Sequence, residues 1–136
     1  MGLKISLKPD ERIIISGAVL KNGSARSDFV IENNVPILRE KNIMSLTEAN
    51  SPCKRIYFAI QLMYVDEKNI HEHQTTYWKL VQDVTNAAPS TTFLIDQINN
   101  HILHDRHYQA LKLTNKLIEY EQGVMNNVRS AATGSI

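Results

Sequence analysis

The spacing of the apolar residues changes near residue 45, and that change confines the chain to a fold with a strand-rich first part and a helical second part. Leu3, Ile5 and Leu7 alternate with Lys4, Ser6 and Lys8, the pattern of a strand with one buried face. Ile13, Ile14 and Ile15 predict a second strand ending near Gly17, with Ala18 to Leu20 continuing it past a glycine bend. Asn22-Gly23 predicts a tight turn, because both residues tolerate positive φ. Phe29, Val30 and Ile31 form the next strand, Asn33-Asn34 another turn, and Val35 to Leu38 a last short strand. Pro36 cannot donate a ladder hydrogen bond, so that last strand belongs at an edge or is paired on one side only. Such close turns predict a meander of four or five antiparallel strands over residues 1–44, with one apolar face to cover.

Beyond residue 45 the period is helical. Ser45-Leu46-Thr47-Glu48 has the spacing of a capping box and predicts a short turn at 45–50, and Ser51-Pro52 is a second start signal that opens the main helix. A helix from 52 to 65 would carry Ile56, Ala59, Ile60 and Met63, flanked by Tyr57, Phe58, Leu62 and Tyr64. That stripe is too broad for a surface helix and predicts a central one. A second helix over 69–86 carries Ile70, Tyr77, Trp78, Val81 and Val84, and stops before Pro89. Ser90 is placed to cap a third, with Phe93, Leu94, Ile98 and Ile102 inward. A fourth over 105–122 carries Tyr108, Leu111, Leu117 and Ile118, with Gly123 as its stop. Residues 125–136 are small and polar and predict a disordered tail. The fold class is therefore α+β, a small antiparallel sheet over residues 1–44 followed by a helical region over 45–124.

A length of 136 residues suits one domain with layers, and 43% hydrophobic with 21% charged residues is ordinary for a soluble protein. A net charge of +1 excludes a strongly basic nucleic-acid binder, so any RNA contact must come from local clustering of Lys and Arg. Cys53 is the single cysteine and has no partner for a disulfide, which suits a reducing compartment. No apolar run approaches the roughly 18 residues of a membrane span, and the first residues lack the signal-peptide pattern. These features together predict a cytoplasmic protein with no membrane partner.

Little in the chain points to catalysis. His101, His104 and His107 recur every three residues beside Asp105, a spacing that could turn imidazoles toward one metal. The run lacks the four-residue step and the glutamate of a helical zinc motif, and reads better as a polar helix junction. Cys53 follows Pro52 at a helix start, where the helix dipole, Lys54 and Arg55 would favour a thiolate. A small semi-buried first-turn residue is the simpler reading. The five glycines are scattered and form no phosphate loop, and the carboxylate pairs Asp10-Glu11 and Asp66-Glu67 sit beside turns. The expectation is a protein that is not an enzyme, with no cofactor and no metal.

The cations carry more. Lys4, Lys8, Arg12, Lys21, Arg26, Arg39 and Lys41 fall in the first 44 residues, against Asp10, Glu11, Asp28, Glu32 and Glu40. By pattern alone a solvated polar face is the ordinary reading. The alternative is a row of cations: Lys4 and Lys8 share a strand face, and Arg39 would join them if the last strand paired with the first. Such a row can contact phosphates and base edges of single-stranded RNA.

Three phrases, "LKPDERIIISGAVLKNG" (7–23), "IENNVPILREKNIM" (31–44) and "SPCKRIYFAIQLMYVD" (51–66), closely resemble the flagellum biosynthesis repressor FlbT family. The likeness covers roughly residues 1–125. It implies a non-enzymatic, post-transcriptional regulator that associates with the flagellin mRNA leader and alters its translation and stability, alongside a FlaF-type protein. The chain differs from the family's usual wording at Asp10, Cys53 and Ser27-Asp28, and an acid at 28 weighs against that strand facing RNA. Residues 3–44 also look like the carbon storage regulator family of small RNA binders, whose first and last strands grip RNA. That likeness nominates Leu3, Lys4 and Arg39. The expected RNA-contacting set is thus Leu3, Lys4, Lys8, Arg12, Arg39 and Lys41. A protein-binding adaptor or chaperone-like module for flagellin or a FlaF-type partner is the other expectation, resting on the wide apolar surfaces of 56–64 and 77–84. An exposed edge strand also makes a homodimer an expectation.

Overall fold

The computed structural model describes the backbone of residues 2–134, and side chains as far as residue 126. Five strands come first: β1 (Leu3–Leu7), β2 (Arg12–Ile15), β3 (Ala18–Lys21), β4 (Ser27–Ile31) and β5 (Ile37–Arg39). Four helices follow: α1 (Pro52–Val65), α2 (Ile70–Ala87), α3 (Thr92–Leu103) and α4 (His107–Gly134). The α+β class and its order along the chain match the sequence reading.

The strands do not form one meander. They make two sheets, β1-β4 and β3-β2-β5, antiparallel throughout. The reversal lies at Ser16-Gly17, where both residues have positive φ (50° and 85°). That is the backbone of a two-residue hairpin turn, so Ala18–Lys21 folds back on β2 and does not extend it. Space also matters at Gly17, because a Cβ there would lie 2.7 Å from the Val65 carbonyl oxygen at the end of α1. Asn22-Gly23, expected as a tight turn, is instead a crossover. The Asn22 side-chain amide donates to the carbonyls of Leu7, Lys8 and Ala25 (3.2, 2.8 and 3.0 Å), which ties the start of β4 to the end of β1.

The three isoleucines of β2 explain the layering. Ile13 and Ile15 face β1 and β4, packing with Ile5, Leu7, Phe29, Ile31 and Ile37. Ile14 faces the other way and joins Leu38 in the helical core. The central sheet is therefore covered on both faces, where the sequence predicted one. Ile13 and Leu38 are both completely buried, each contributing about 1.5–3 kcal/mol of apolar burial. Pro36 precedes β5, which pairs with β2 alone, so the predicted one-sided pairing holds.

Local signals set the helices. The Ser45–Glu48 capping box forms, Glu48 N donating to Ser45 Oγ (3.2 Å) and Ser45 N to Glu48 Oε1 (2.9 Å), and it closes the expected short turn ahead of α1. These bonds hold the Glu48 carboxyl below its ordinary range. Ser51 caps α1 by accepting from Lys54 N, and Ile56, Ala59, Ile60 and Met63 are all buried, as a central helix requires. α2 buries Tyr77, Val81 and Val84 but leaves Trp78 exposed. Ser90 does not cap α3. Pro89–Thr91 forms a 3-10 turn, and the Ser90 hydroxyl bonds the Tyr120 hydroxyl (2.6 Å). α3 turns Ile95, Ile98 and Ile102 inward, which places Phe93 in solvent. Gly123 does not stop α4, and the tail predicted to be disordered is helical in backbone from residue 125 to Gly134. Ser135 and Ile136 lie outside the described residues.

α4 is locked to α1 by Glu121. Its carboxylate accepts from Ser51 Oγ (2.5 Å) and Cys53 N (3.0 Å), so a residue of the last helix caps the first. Since Glu121 meets the start of α1, and Tyr64 and Tyr108 line one groove, the two helices run antiparallel.

Candidate nucleic-acid interface

β1 pairs with β4 and β5 with β2, so the first and last strands do not form the shared edge expected from sequence. Arg39 nonetheless reaches β1 through its side chain. Its Nη2 donates to the Ser6 carbonyl oxygen at 2.7 Å and pairs with Glu11 Oε2 at 3.4 Å. Glu11 Oε1 accepts from the Lys8 amide (2.9 Å). That amide first, and the Arg39 guanidinium after it, hold the Glu11 carboxyl below the usual range. Arg39 is thus partly engaged and partly exposed, and its Nε and Nη1 remain free for an outside acceptor among the described residues.

Two open grooves meet at Arg39 and Lys41. The first, about 670 Å³, runs between the β1-β4 end of the sheets and the helix ends bearing Tyr64 and Tyr108. Its cations are Lys4, Arg39 and Lys41, its one acid is Glu32, and Leu3, Asn33, Asn34 and Asn42 complete much of its wall. The second, about 700 Å³, carries Lys8 and Arg26 besides Arg39 and Lys41, but also Asp10, Glu11 and Glu40. The first groove therefore has the clearer positive excess. Of the six residues nominated from sequence, the structure brings Leu3, Lys4, Arg39 and Lys41 to the first groove and Lys8 to the second. Arg12 lies in neither; it is exposed opposite Lys21 of β3, and its backbone amide donates to Glu40 Oε1. Asp28 sits on the outer face of β4, accepting from Ser6 Oγ at 2.5 Å, while Arg26 Nε donates to the same hydroxyl at 2.9 Å.

α1 positions the Lys41 segment from below. Tyr57 Oη donates to the Asn42 carbonyl oxygen (2.6 Å), and burial pushes the Tyr57 hydroxyl up to about 12. Buried Gln61 clamps Met44 at both ends, accepting from its amide (2.7 Å) and donating to its carbonyl (2.9 Å). Tyr64 Oη accepts from Ile37 N (3.2 Å), which fixes its ring. Tyr108 is 37% exposed, with Lys112 Nζ 5.6 Å from its ring centroid. Sequence reading missed both tyrosines as groove residues. It took Tyr64 as a flank of the α1 stripe and Tyr108 as part of a buried face, and only the antiparallel pairing of α1 with α4 brings them together.

The remaining candidates fall elsewhere. His101 Nδ1 faces Arg106 Nε at 3.1 Å, His104 Nδ1 faces the Asn100 carbonyl at 2.7 Å, and His107 is buried with Nε2 unpartnered. Among the described residues no three His, Cys, Asp or Glu side chains gather to hold a metal ion. Cys53 is buried, and burial first, the Glu121 carboxylate second, push its thiol up to about 12. The helix start does not produce a reactive thiolate there.

A family model described as Flagellar protein FlbT matches residues 3–125. The chain belongs to the FlbT family. Its similarity extends to the Probable flagellum biosynthesis repressor protein FlbT 1 of Bradyrhizobium diazoefficiens, 46% identical over 90% of this chain and 84% of the relative. A Caulobacter sp. (strain K31) protein named Probable flagellum biosynthesis repressor protein FlbT is 39% identical over 94% and 99% of the two chains. The Flagellum biosynthesis repressor protein FlbT of Caulobacter vibrioides is 34% identical over 98% and 96%. No solved structure matches the chain. Membership in the FlbT family places the chain in the regulation of flagellum biosynthesis.

A second surface is apolar. Pro52, Cys53, Val84, Ala87, Tyr120 and Val124 help to line a groove of about 350 Å³ beside the Glu121 lock. It lies at the far end of the α1–α4 pair from Tyr64 and Tyr108. Among the described residues no helix is long and apolar enough to cross a membrane.

Proposed function

We propose that this FlbT-family chain is a cytoplasmic, non-enzymatic regulator that associates with the flagellin mRNA leader and modulates its translation and stability. The observation that supports this most directly is the groove in which Lys4, Arg39 and Lys41 face one acid, Glu32, with tyrosines on the opposite wall. A chain with net charge +1 has no general affinity for polyanions. Binding must then depend on this local excess, and its salt dependence must be shallow. Each phosphate neutralised on a single strand contributes about 0.7 to the slope of log K against log salt. Three groove cations thus correspond to a slope of about 2.

The test is equilibrium binding of the purified chain to labelled flagellin leader RNA over a series of salt concentrations. Lys4→Ala and Arg39→Ala should each weaken binding and lower the slope by about 0.7. If Arg12→Ala has the same effect as Arg39→Ala, the charge acts generally and the groove is the wrong surface. A second reading is favoured by the apolar groove at Pro52 and Val84: an adaptor that holds flagellin or a FlaF-type partner and affects the message indirectly. In that case pull-down with flagellin succeeds, leader binding is absent, and Val124→Asp, at an exposed position of that groove, abolishes capture.

A further inference from the structure

We infer that the helical half completes the RNA groove, the Tyr108 ring of α4 stacking one unpaired base with the Lys112 ammonium on the ring's other face. This rests on the RNA reading above and narrows it to a single-stranded ligand with a base turned out of its stack. Only one of the two tyrosines in the groove suits the task. Tyr64 is half-buried, and its hydroxyl is tied to the Ile37 amide, so its ring is part of the wall. Tyr108 stands in the first turn of α4, 37% exposed, and lines the same groove as Lys4, Arg39 and Lys41. Lys112, one helical turn on, holds its Nζ 5.6 Å from the ring centroid. A cation on one face of an aromatic ring is attracted by the ring's quadrupole and leaves the opposite face for a flat partner.

The two walls then divide the labour. The β-side cations meet phosphates, which are present in any RNA. The α4 wall offers a π-face, which only a base freed from pairing can reach. The sheets alone would not discriminate single from double strands, and the tyrosine would. Lys112, on the ring's far face, holds the ring in place and leaves the phosphates to the β-side cations.

The experiment measures anisotropy of labelled flagellin leader RNA with the full chain, as a single strand and annealed to its complement. Tyr108→Ala should weaken single-strand binding about 5- to 150-fold, the range of one lost base–aromatic stack. Tyr108→Phe keeps the ring and should bind as the parent does. Tyr108→Leu keeps apolar bulk without the π-face and should behave like the alanine variant, which separates stacking from a loss of folding. Lys112→Ala should weaken single-strand binding less than Tyr108→Ala does and leave the salt slope at about 2, because Lys112 is not among the cations that line the groove. The inference is overturned if the parent binds the single strand while Tyr108→Ala or Tyr108→Leu binds it equally well, or if the duplex binds as tightly. Absence of parent binding to both forms overturns the RNA reading together with it.

Discussion

Replacing Glu121 by alanine should loosen the molecule far more than a half-buried carboxylate on a long helix suggests. Its two oxygens accept from Ser51 Oγ at 2.5 Å and from Cys53 N at 3.0 Å. The Cys53 amide belongs to the first turn of α1, where backbone N–H groups have no intrahelical partner. Without Glu121 that amide lies in a buried residue with no acceptor, while Ser51 still caps Lys54 N. A hydrogen bond to a charged group contributes about 1.5–3 kcal/mol. An anion at a helix N-terminus adds about 0.3–1 kcal/mol. The two bonds share one carboxylate and do not add fully, so the expected loss is about 2–4 kcal/mol. That is a large part of the roughly 5–15 kcal/mol that holds a domain folded. Urea unfolding followed by far-UV circular dichroism reads it as a lower midpoint at unchanged m. Glu121→Gln keeps one carbonyl acceptor and should lose about half as much. In a double-mutant cycle Ser51→Ala and Glu121→Ala should couple by about 1 kcal/mol or more. If Glu121→Ala costs less than about 0.5 kcal/mol, the lock contributes nothing and α4 is held by its apolar face alone.

Two further outcomes follow from the same geometry. Gln61→Ala strips both ends of Met44 of their partners, so it should destabilise the chain by about 1–3 kcal/mol and weaken leader binding through the displaced Lys41 segment, both read on one purified variant. His107 is buried, and burial depresses its pKa below 6.5 although Asp105 and Glu67 pull the other way. The unfolded chain therefore takes up the proton first, and stability complete above pH 6.5 is lost as pH falls toward the folded-state value. His107→Phe should flatten that part of the urea-midpoint profile between pH 7.5 and about 5, and an unchanged profile would assign the slope to other groups.

The helices were legible because each carries its own punctuation. Ser51-Pro52 placed the start of α1, and the stripe through Ile56, Ala59, Ile60 and Met63 placed it in the core. The sheet was harder, since period-two patterning reports a strand and a face but not a partner. Ile13-Ile14-Ile15 carried the missing fact: three consecutive buried or half-buried positions mean cover on both faces, hence two sheets. The stronger turn motif, Asn22-Gly23, was outranked by Ser16-Gly17 because Gly17 must also pass within contact of the Val65 carbonyl, a tertiary demand invisible in the local sequence. Leu3, Lys4 and Arg39 are nominated through a shared edge of the first and last strands that does not form, and Lys41 as one of the cations of the first 44 residues. They nevertheless share a groove, because Arg39 spans from one sheet to the Ser6 carbonyl of the other. Tyr108 was out of reach, since its place depends on where α4 begins after the turn at Asp105, whose φ is 57°.

The antiparallel run of α1 against α4 also bears on the two proposed activities. Tyr64 and Tyr108 bring one end of that pair to the cationic groove, and Cys53 and Tyr120 bring the other end to the apolar one. A ligand at either end leaves the other open, so an RNA-binding surface and a protein-binding surface do not compete for space on this fold. What joins them is the helix pair itself, fixed by Glu121 at the apolar end. Loosening the Glu121 lock would release α4 along its length and shift Tyr108 as well. An effect of Glu121→Ala on leader binding, with no residue of the cationic groove altered, is therefore what coupling through α4 requires. Unchanged binding by a folded Glu121→Ala chain would mean that the first turns of α4 are held independently by Ala110 and Leu111, both buried in the helical core.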